Sequence, residues 1–130
     1  MTFYRGRRLR INSAIRDMVR ETKLHTDDLI YPLFVVHGKG KKHEIPSMPG
    51  QYHFSLDMLE KEIDFIVNLG IKSIILFGIP DYKDKLGSSA YDESGIVQQA
   101  IKKIKQIHPN LFIITDVCLC QYTSTGHCGL

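Results

Sequence analysis

Three cysteines stand close together near the end of the chain, at Cys118, Cys120 and Cys128, and the sequence contains no others. Asp116 precedes the first of them by two residues, and His127 is the neighbour of the last. Thiolates are ligands that suit zinc, and a zinc ion bound by only three protein ligands keeps a fourth position open for catalysis. The stretch TDVCLCQYTSTGHCG therefore predicts an open, catalytic zinc site.

Two other interpretations of the three cysteines are that they are buried thiols or that two of them pair as a disulfide. Small buried thiols are common in protein cores. Three so close together, beside an aspartate, a histidine and two glycines, are unusual for a core, and an odd number of cysteines argues against a disulfide framework. His127 also has a second interpretation, because a histidine beside a metal ligand often faces solvent or contacts the site only indirectly.

The thiols need a backbone that brings them together. A continuous apolar run over 111–119 (LFIITDVCL) predicts a buried strand. Residues two apart on a strand point to the same side, so Asp116, Cys118 and Cys120 are expected to share one face while the residues between them pack on helices. The third cysteine, Cys128, then returns to the pair through a turn that the two nearby glycines permit.

The rest of the chain alternates between apolar runs and amphipathic patterns. Ser55 is the expected N-cap of the second helix and Gly70 its stop signal, while Pro32 marks the start or an irregular edge of the first strand. This alternation predicts a parallel α/β fold, with its chemistry beyond the carboxyl ends of the strands. The predicted elements are a helix over 13–21, a strand over 29–36, a helix over 55–70, a strand over 73–79, a helix over 94–108 and the strand over 111–119.

The length and net charge of the chain limit how many domains it has and which partners are expected. A chain of 130 residues is normal for one domain, and a net charge of +3 predicts no obligate nucleic-acid partner. No apolar run is long enough to cross a bilayer, and arginines interrupt the N-terminus where a secretory signal would be apolar. The sequence therefore predicts a cytoplasmic protein without a membrane partner, in a compartment where thiols stay reduced.

Six stretches carry a resemblance to the delta-aminolevulinic acid dehydratase family, also called porphobilinogen synthases, in its zinc-dependent class. The cysteine stretch is the most specific, because zinc-independent relatives carry other residues at the cysteine positions. The sequence departs at Gln121 and Thr125, where some zinc-type relatives have proline and histidine, and neither residue is a proposed ligand. The stretches are RGRRLR, DDLIYPLFVVHG, EIPSMPGQYHFSLD, LGIKSIILFGIP, KDKLGSSAYDESGIVQQAIKKIK and TDVCLCQYTSTGHCG.

The resemblance implies a fold, a reaction and a set of site residues. The fold is a (β/α)8 TIM barrel, and the reaction condenses two 5-aminolevulinate molecules to porphobilinogen, with loss of water, in tetrapyrrole (haem) biosynthesis. By the resemblance, Cys118, Cys120 and Cys128 hold the catalytic zinc and Asp116 lies in the active site beside it. His127 matches a residue that some relatives use for a second zinc, and the full-length enzyme is expected to take a second Zn2+ or Mg2+.

The resemblance also implies that the chain is one part of a larger unit. A complete barrel needs about 250 residues, so residues 1–130 are expected to form its N-terminal portion with about three of the eight strands. An arm at about residues 1–12 is expected to embrace a neighbouring subunit of a homo-oligomer, an octamer at full length. The family's Schiff-base lysines would lie outside the chain, which predicts that it is inactive alone. The alternative is a stand-alone zinc-binding or interaction module without catalysis.

Overall fold

The computed structural model describes residues 6–129, which form a five-stranded sheet with two amphipathic helices on one face. The strand order is β2-β3-β1-β4-β5; β3, β1, β4 and β5 are parallel, and β2 is antiparallel to β3. The predicted α/β fold is therefore confirmed. The elements are α1 (Ser13–Met18), β1 (Ile30–Val36), β2 (Lys42–Ile45), β3 (Met48–Ser55), α2 (Leu59–Asn68), β4 (Ser73–Ile79), α3 (Ile96–Ile107) and β5 (Phe112–Thr115), with short 3-10 helices at Arg8–Arg10, Thr26–Asp28 and Ser88–Ala90.

The first two predicted strands are present. The strand predicted over 73–79 is β4, and the one predicted from residue 29 is β1, which begins at Ile30. Pro32 lies in register with Ile75 of β4, whereas the ladder with β3 begins only at Phe34. One side of β1 is therefore unpaired at the proline, which agrees with the irregular edge that the sequence predicted.

The connection after β1 contains a hairpin that the sequence did not predict. Strands β2 and β3 occupy most of the stretch, and Ser55 is the last residue of β3 rather than the N-cap of α2. The Ser55 hydroxyl donates to the Asp57 carboxylate at 2.6 Å and accepts from the Lys41 amide at 2.9 Å. The predicted cap is thus wrong because the hydroxyl closes the end of the hairpin, and α2 begins only at Leu59.

The core lies between the sheet and the helices α2 and α3. Both helices bury the stripe that the sequence predicted, and α2 stops before Gly70, whose φ of +82° favours glycine. The opposite face of the sheet carries Phe34 and Phe77, whose stacked rings are 5.3 Å apart between centroids and only half-buried. The central core residues are Leu33, Val35, Phe54, Leu59, Ile63, Ile66, Ile74, Leu76, Ile96, Ala100, Ile104 and Leu111.

The segment ahead of β1 makes little contact with this core. Helix α1 ends three residues earlier than the predicted helix, and none of its residues is buried. The predicted arm falls partly outside the described residues; those of its residues that are described, 6–12, are all exposed. No helix among the described residues is both long and apolar enough to cross a membrane.

Candidate metal centre

The backbone that leads into the cysteines differs from the predicted one. Strand β5 ends at Thr115, whose partner on β4 is Leu76, so the shared strand face expected for Asp116, Cys118 and Cys120 is wrong. The chain leaves the sheet at this point, and the side chain of Val117, which was expected to pack on a helix, is 98% exposed.

A turn, rather than a strand face, brings the thiols together. The Leu119 carbonyl accepts hydrogen bonds from the amides of Tyr122 and Thr123, at 2.9 and 3.0 Å, so the chain bends back immediately. We call residues 116–129 the cysteine loop. A second turn follows, in which the Gly126 amide donates to the Thr123 carbonyl at 3.2 Å and Gly126 has a φ of +72°. The glycine return that the sequence predicted is therefore present.

The sulfur atoms of the three cysteines lie close together in the cysteine loop. The Sγ atom of Cys128 is 3.4 Å from that of Cys118 and 3.0 Å from that of Cys120, and all three lie within 4.8 Å of one another. The cysteines are free thiols. In a tetrahedral site with Zn–S bonds of about 2.3 Å, sulfur ligands are about 3.8 Å apart, so the cluster has a suitable size for one shared ion.

The pKa values of two of the thiols are shifted in opposite directions. Hydrogen bonds with Cys120 and Cys118 lower the pKa of Cys128 to about 7, and the Leu119 backbone adds to this effect. The hydrogen bond with Cys128, followed by the one with Cys118, raises the pKa of Cys120 to about 12. The first negative charge of the cluster therefore develops on its most exposed member as the pH rises through about 7, and an approaching divalent cation would favour further deprotonation.

Asp116 lies at the edge of a cleft beside the thiols. The cleft has a volume of about 350 Å³ and is bounded by α3 and the cysteine loop, with both Asp116 and Cys118 in its wall. Burial, then the negative charges of Asp116 and Cys118, raise the pKa of Tyr122, which lines the same cleft. A small molecule held there would meet a carboxylate, a phenol and a sulfur atom together.

His127 stands apart from the sulfur cluster. Among residues 6–129, the three cysteines are the one group of three or more candidate ligands at metal-binding distances. The His127 side chain is exposed, and its backbone carbonyl accepts a hydrogen bond from the Thr123 hydroxyl at 2.8 Å. A role for its ring at a second metal stays a prediction.

The contact that fixes the cysteine loop to the loop between β4 and α3 was not predicted from the sequence. The Asp84 amide donates to the Tyr122 carbonyl at 3.3 Å, and the Ser124 amide donates to the Asp84 carbonyl at 2.8 Å, which makes a short parallel bridge at Thr123. The Asp84 carboxylate accepts from the amides of Leu86 and Ser88, both at 3.0 Å. An aspartate before KLGSS is typical of such a turn, but nothing in the local sequence indicates which residue pairs with it.

Tyr122 fixes the cysteine loop to the sheet through a second contact, with strand β4. Its side chain is 7% exposed and lies against Gly78 of β4. A β-carbon at Gly78 would be 2.8 Å from the Tyr122 hydroxyl oxygen and 2.5 Å from a methyl group of Val97, so only glycine fits without displacement. A glycine within an apolar strand is the sequence signal for such a close approach.

The fold and the thiol cluster together define a class of protein. A mainly parallel α/β sheet, with three converging thiols just past the carboxyl end of a strand, defines an α/β protein that carries a candidate metal centre. The sequence model of the family described as delta-aminolevulinic acid dehydratase matches residues 3–130. The chain belongs to this family.

Individual relatives agree with the family assignment. The chain is similar to the delta-aminolevulinic acid dehydratase of Halalkalibacterium halodurans, at 61% identity over 130 residues, which is all of this chain and 40% of the relative. It is 53% identical over 129 residues to the enzyme of that name from Bacillus subtilis, covering 99% of this chain and 40% of the relative. The chain thus spans about two fifths of the length of these two relatives.

A solved structure extends the likeness to the fold. The crystal structure of delta-aminolevulinic acid dehydratase (porphobilinogen synthase) from Toxoplasma gondii ME49, in complex with the reaction product porphobilinogen, matches with a TM-score of 0.91 at 37% identity. The match covers 99% of this chain and 37% of that one. The sheet and helices are therefore those of part of the family's TIM barrel.

Proposed function

We propose that the protein provides the zinc site of an enzyme that condenses two molecules of 5-aminolevulinate to porphobilinogen with loss of water. The observation that carries this proposal is the convergence of Cys118, Cys120 and Cys128 in a chain of the dehydratase family. Residues 1–130 would be the N-terminal portion of a single barrel domain. The chain's share of its relatives' length supports this assignment.

The donor set fits zinc. Three thiolates are soft ligands, and the distances between their sulfur atoms suit one tetrahedral ion. With only three protein ligands, a fourth position stays open to a substrate atom. Zinc bound in this way supplies a Lewis acid that can polarise a carbonyl group. Cys128, the most exposed of the three, is the thiol that loses its proton first.

The chain's own residues would bind and orient the substrate beside the ion. Asp116 presents an exposed carboxylate at the cleft that it shares with Cys118, so it can attract the ammonium group of an aminolevulinate. Tyr122 and the apolar side chains of α3 also line this cleft, so a bound substrate would contact them. This arrangement supports the role that the resemblance gives to Asp116.

The described residues alone do not supply the rest of the chemistry. A lysine that forms a Schiff base needs a desolvated or cationic setting, and every lysine of the sequence lies within residues 6–129 without being buried. The face of the sheet that carries Phe34 and Phe77 and the free edge of β5, where Phe112 is 62% exposed, also need further strands to cover them. We therefore propose that residues 1–130 are inactive on their own.

Several wider features are proposals from the family alone. They are a second Zn2+ or Mg2+ with His127 near it, a homo-oligomer, octameric at full length, and a cytoplasmic location. The arm at about residues 1–12 would pack on a neighbouring subunit. Deletion of residues 1–9 from the complete protein that carries this sequence should then lower its sedimentation coefficient. An unchanged coefficient would argue against the arm's role in assembly.

The central proposal is tested by metal analysis of the complete protein that carries this sequence. We expect about one zinc per chain in the wild type and almost none after the double substitution Cys118→Ala, Cys120→Ala, because one thiolate cannot hold the ion. Porphobilinogen formation should fall with the zinc content. Val117→Ala is the matched control, since this residue directly precedes Cys118 and is 98% exposed. Equal zinc content in the wild type and the double variant would refute the site.

A further inference from the structure

We propose that Thr123 is a positioning residue for Cys128, and through Cys128 for the metal centre. The inference rests on the proposed function, because it concerns the geometry of the same ligand set. Cys128 is the exposed member of the thiol cluster, so packing does little to fix its position. Hydrogen bonds must hold the chain that carries it.

The side chain of Thr123 makes the relevant hydrogen bond. Its hydroxyl donates to the backbone carbonyl of His127 at 2.8 Å. That carbonyl belongs to the peptide group that joins His127 to Cys128, so the bond fixes the plane from which the cysteine side chain projects. Thr123 is also 1% exposed, which shields the bond from competing water.

Thr123 can act as an anchor because its own backbone is fixed. It stands at the bridge to Asp84, between Tyr122 and Ser124, both of which exchange backbone hydrogen bonds with Asp84. Its carbonyl accepts from the Gly126 amide and closes the turn that leads toward Cys128. The position of the third ligand is thereby tied to the loop between β4 and α3.

The two branches of the Thr123 side chain contact different parts of the molecule. While the hydroxyl bonds to His127, the methyl group lies toward Gly87, where a β-carbon would be 3.4 Å from it. Gly87 has a φ of +64°, so a residue with a side chain would be strained there. A β-branched hydroxyl residue satisfies both contacts at once.

Replacement of the hydroxyl tests the inference. In the complete protein that carries this sequence, Thr123→Val keeps the shape of the side chain and removes the donor. We expect zinc affinity, measured by competition with a chelator, to fall about tenfold, as is usual when an outer hydrogen bond of a metal site is lost. Thr123→Ser, which restores the hydroxyl, should return the affinity to within about twofold of wild type on the same scale.

Thr125→Val is the matched control. Thr125 is in the same turn and its hydroxyl also contacts His127, accepting from its amide at 3.4 Å, but the residue is exposed. We expect wild-type affinity in this variant, because a long, solvent-exposed hydrogen bond contributes little. An equal loss in the Thr125 and Thr123 valine variants would overturn the specific role of Thr123.

Cobalt(II) in place of zinc gives a second readout that does not depend on activity. We expect the thiolate charge-transfer absorption of the Thr123→Val protein to be weaker than that of the wild type, as Cys128 is held less firmly against the metal ion. A wild type without this absorption would refute the proposed metal site itself. A wild type with it and an identical valine variant would overturn only the role of Thr123.

If circular dichroism shows that Thr123→Val does not fold, Thr123→Ser decides: a tenfold loss despite its hydroxyl would overturn the inference, and wild-type affinity would support it.

Discussion

The hydroxyl oxygen of Tyr122 lies 2.8 Å from the point where a β-carbon on Gly78 would stand. The cysteine loop therefore contacts strand β4 at Gly78, where there is no side chain to keep Tyr122 away. Because the same point is also 2.5 Å from a methyl group of Val97, a residue with a side chain at position 78 must displace a neighbour. The contact couples the packing of α3 on the sheet to the position of the thiols.

Gly78→Ala should consequently disturb both stability and metal binding. Overpacking of this kind usually lowers the free energy of unfolding by about 1–3 kcal/mol. Displacement of Tyr122 should also weaken zinc binding, since the residue directly precedes Thr123 in the cysteine loop. Urea unfolding and chelator competition measure the two effects. Gly6→Ala is the control, because no described atom lies within 4 Å of its added β-carbon. A Gly78→Ala protein as stable as this control would contradict the tight contact.

The thiol cluster should show a characteristic order of reactivity in zinc-free protein. The pKa of Cys128 is lowered to about 7, so its thiolate accumulates as the pH rises through 7, whereas Cys120, with a pKa raised to about 12, stays protonated. We expect iodoacetamide to modify Cys128 first, with a midpoint near pH 7, and added zinc to protect it. Peptide mass spectrometry after brief labelling measures the order. Faster labelling of Cys120 would show that the proton distribution is different.

Truncation of the buried stripe of α2 should destabilise the fold. Ile63 is fully buried between the helix and the sheet, so Ile63→Ala should lower the free energy of unfolding by about 2–5 kcal/mol. Phe65→Ala on the same helix removes a larger side chain that is 54% exposed, and we expect a change within about 0.5 kcal/mol. Urea denaturation of both variants provides the comparison. The reverse ranking would mean that another face of α2 packs on the sheet.

The purified 130-residue chain should form no porphobilinogen from 5-aminolevulinate, even with zinc present. None of its lysines is buried, so none has the desolvated setting that a Schiff base requires. Borohydride trapping followed by mass spectrometry tests for covalent adducts, and the relative from Bacillus subtilis serves as the active control. Product, or a reduced adduct on one lysine of this chain, would show that the chain holds more of the catalytic machinery than we propose.

The local pattern of apolar residues was sufficient to predict the strands and helices that pack an apolar face on the core. Strand β4 agrees with the sequence because its residues form a continuous apolar run, and the buried stripe of α3 agrees because its apolar residues recur with the period of a helix. The hairpin of β2 and β3 was missed since its residues are largely exposed or half-buried, and β3 gains its place only by pairing with β1. Such pairing leaves little trace in the pattern of either strand.

The candidate site was predicted by residue type but not by geometry. Three cysteines near one another indicated a common ligand set, and their sulfur atoms do converge. The expected strand face failed because convergence depends on a turn at Leu119 that Asp84 helps to fix. Asp84 belongs to the preceding loop, and single-sequence reasoning cannot pair two loops that are distant in the chain.

The bridge between Asp84 and Thr123 has a consequence for the order of events during synthesis. The contacts from the cysteine loop to Asp84 and Gly78 connect the three thiols to the preceding strand and its loop, so they join two consecutive strand–helix units of the chain. Contacts between neighbouring units close short loops and form early in folding. In a nascent polypeptide, the three thiols are therefore expected to come together as soon as Cys128 has left the exit tunnel of the ribosome.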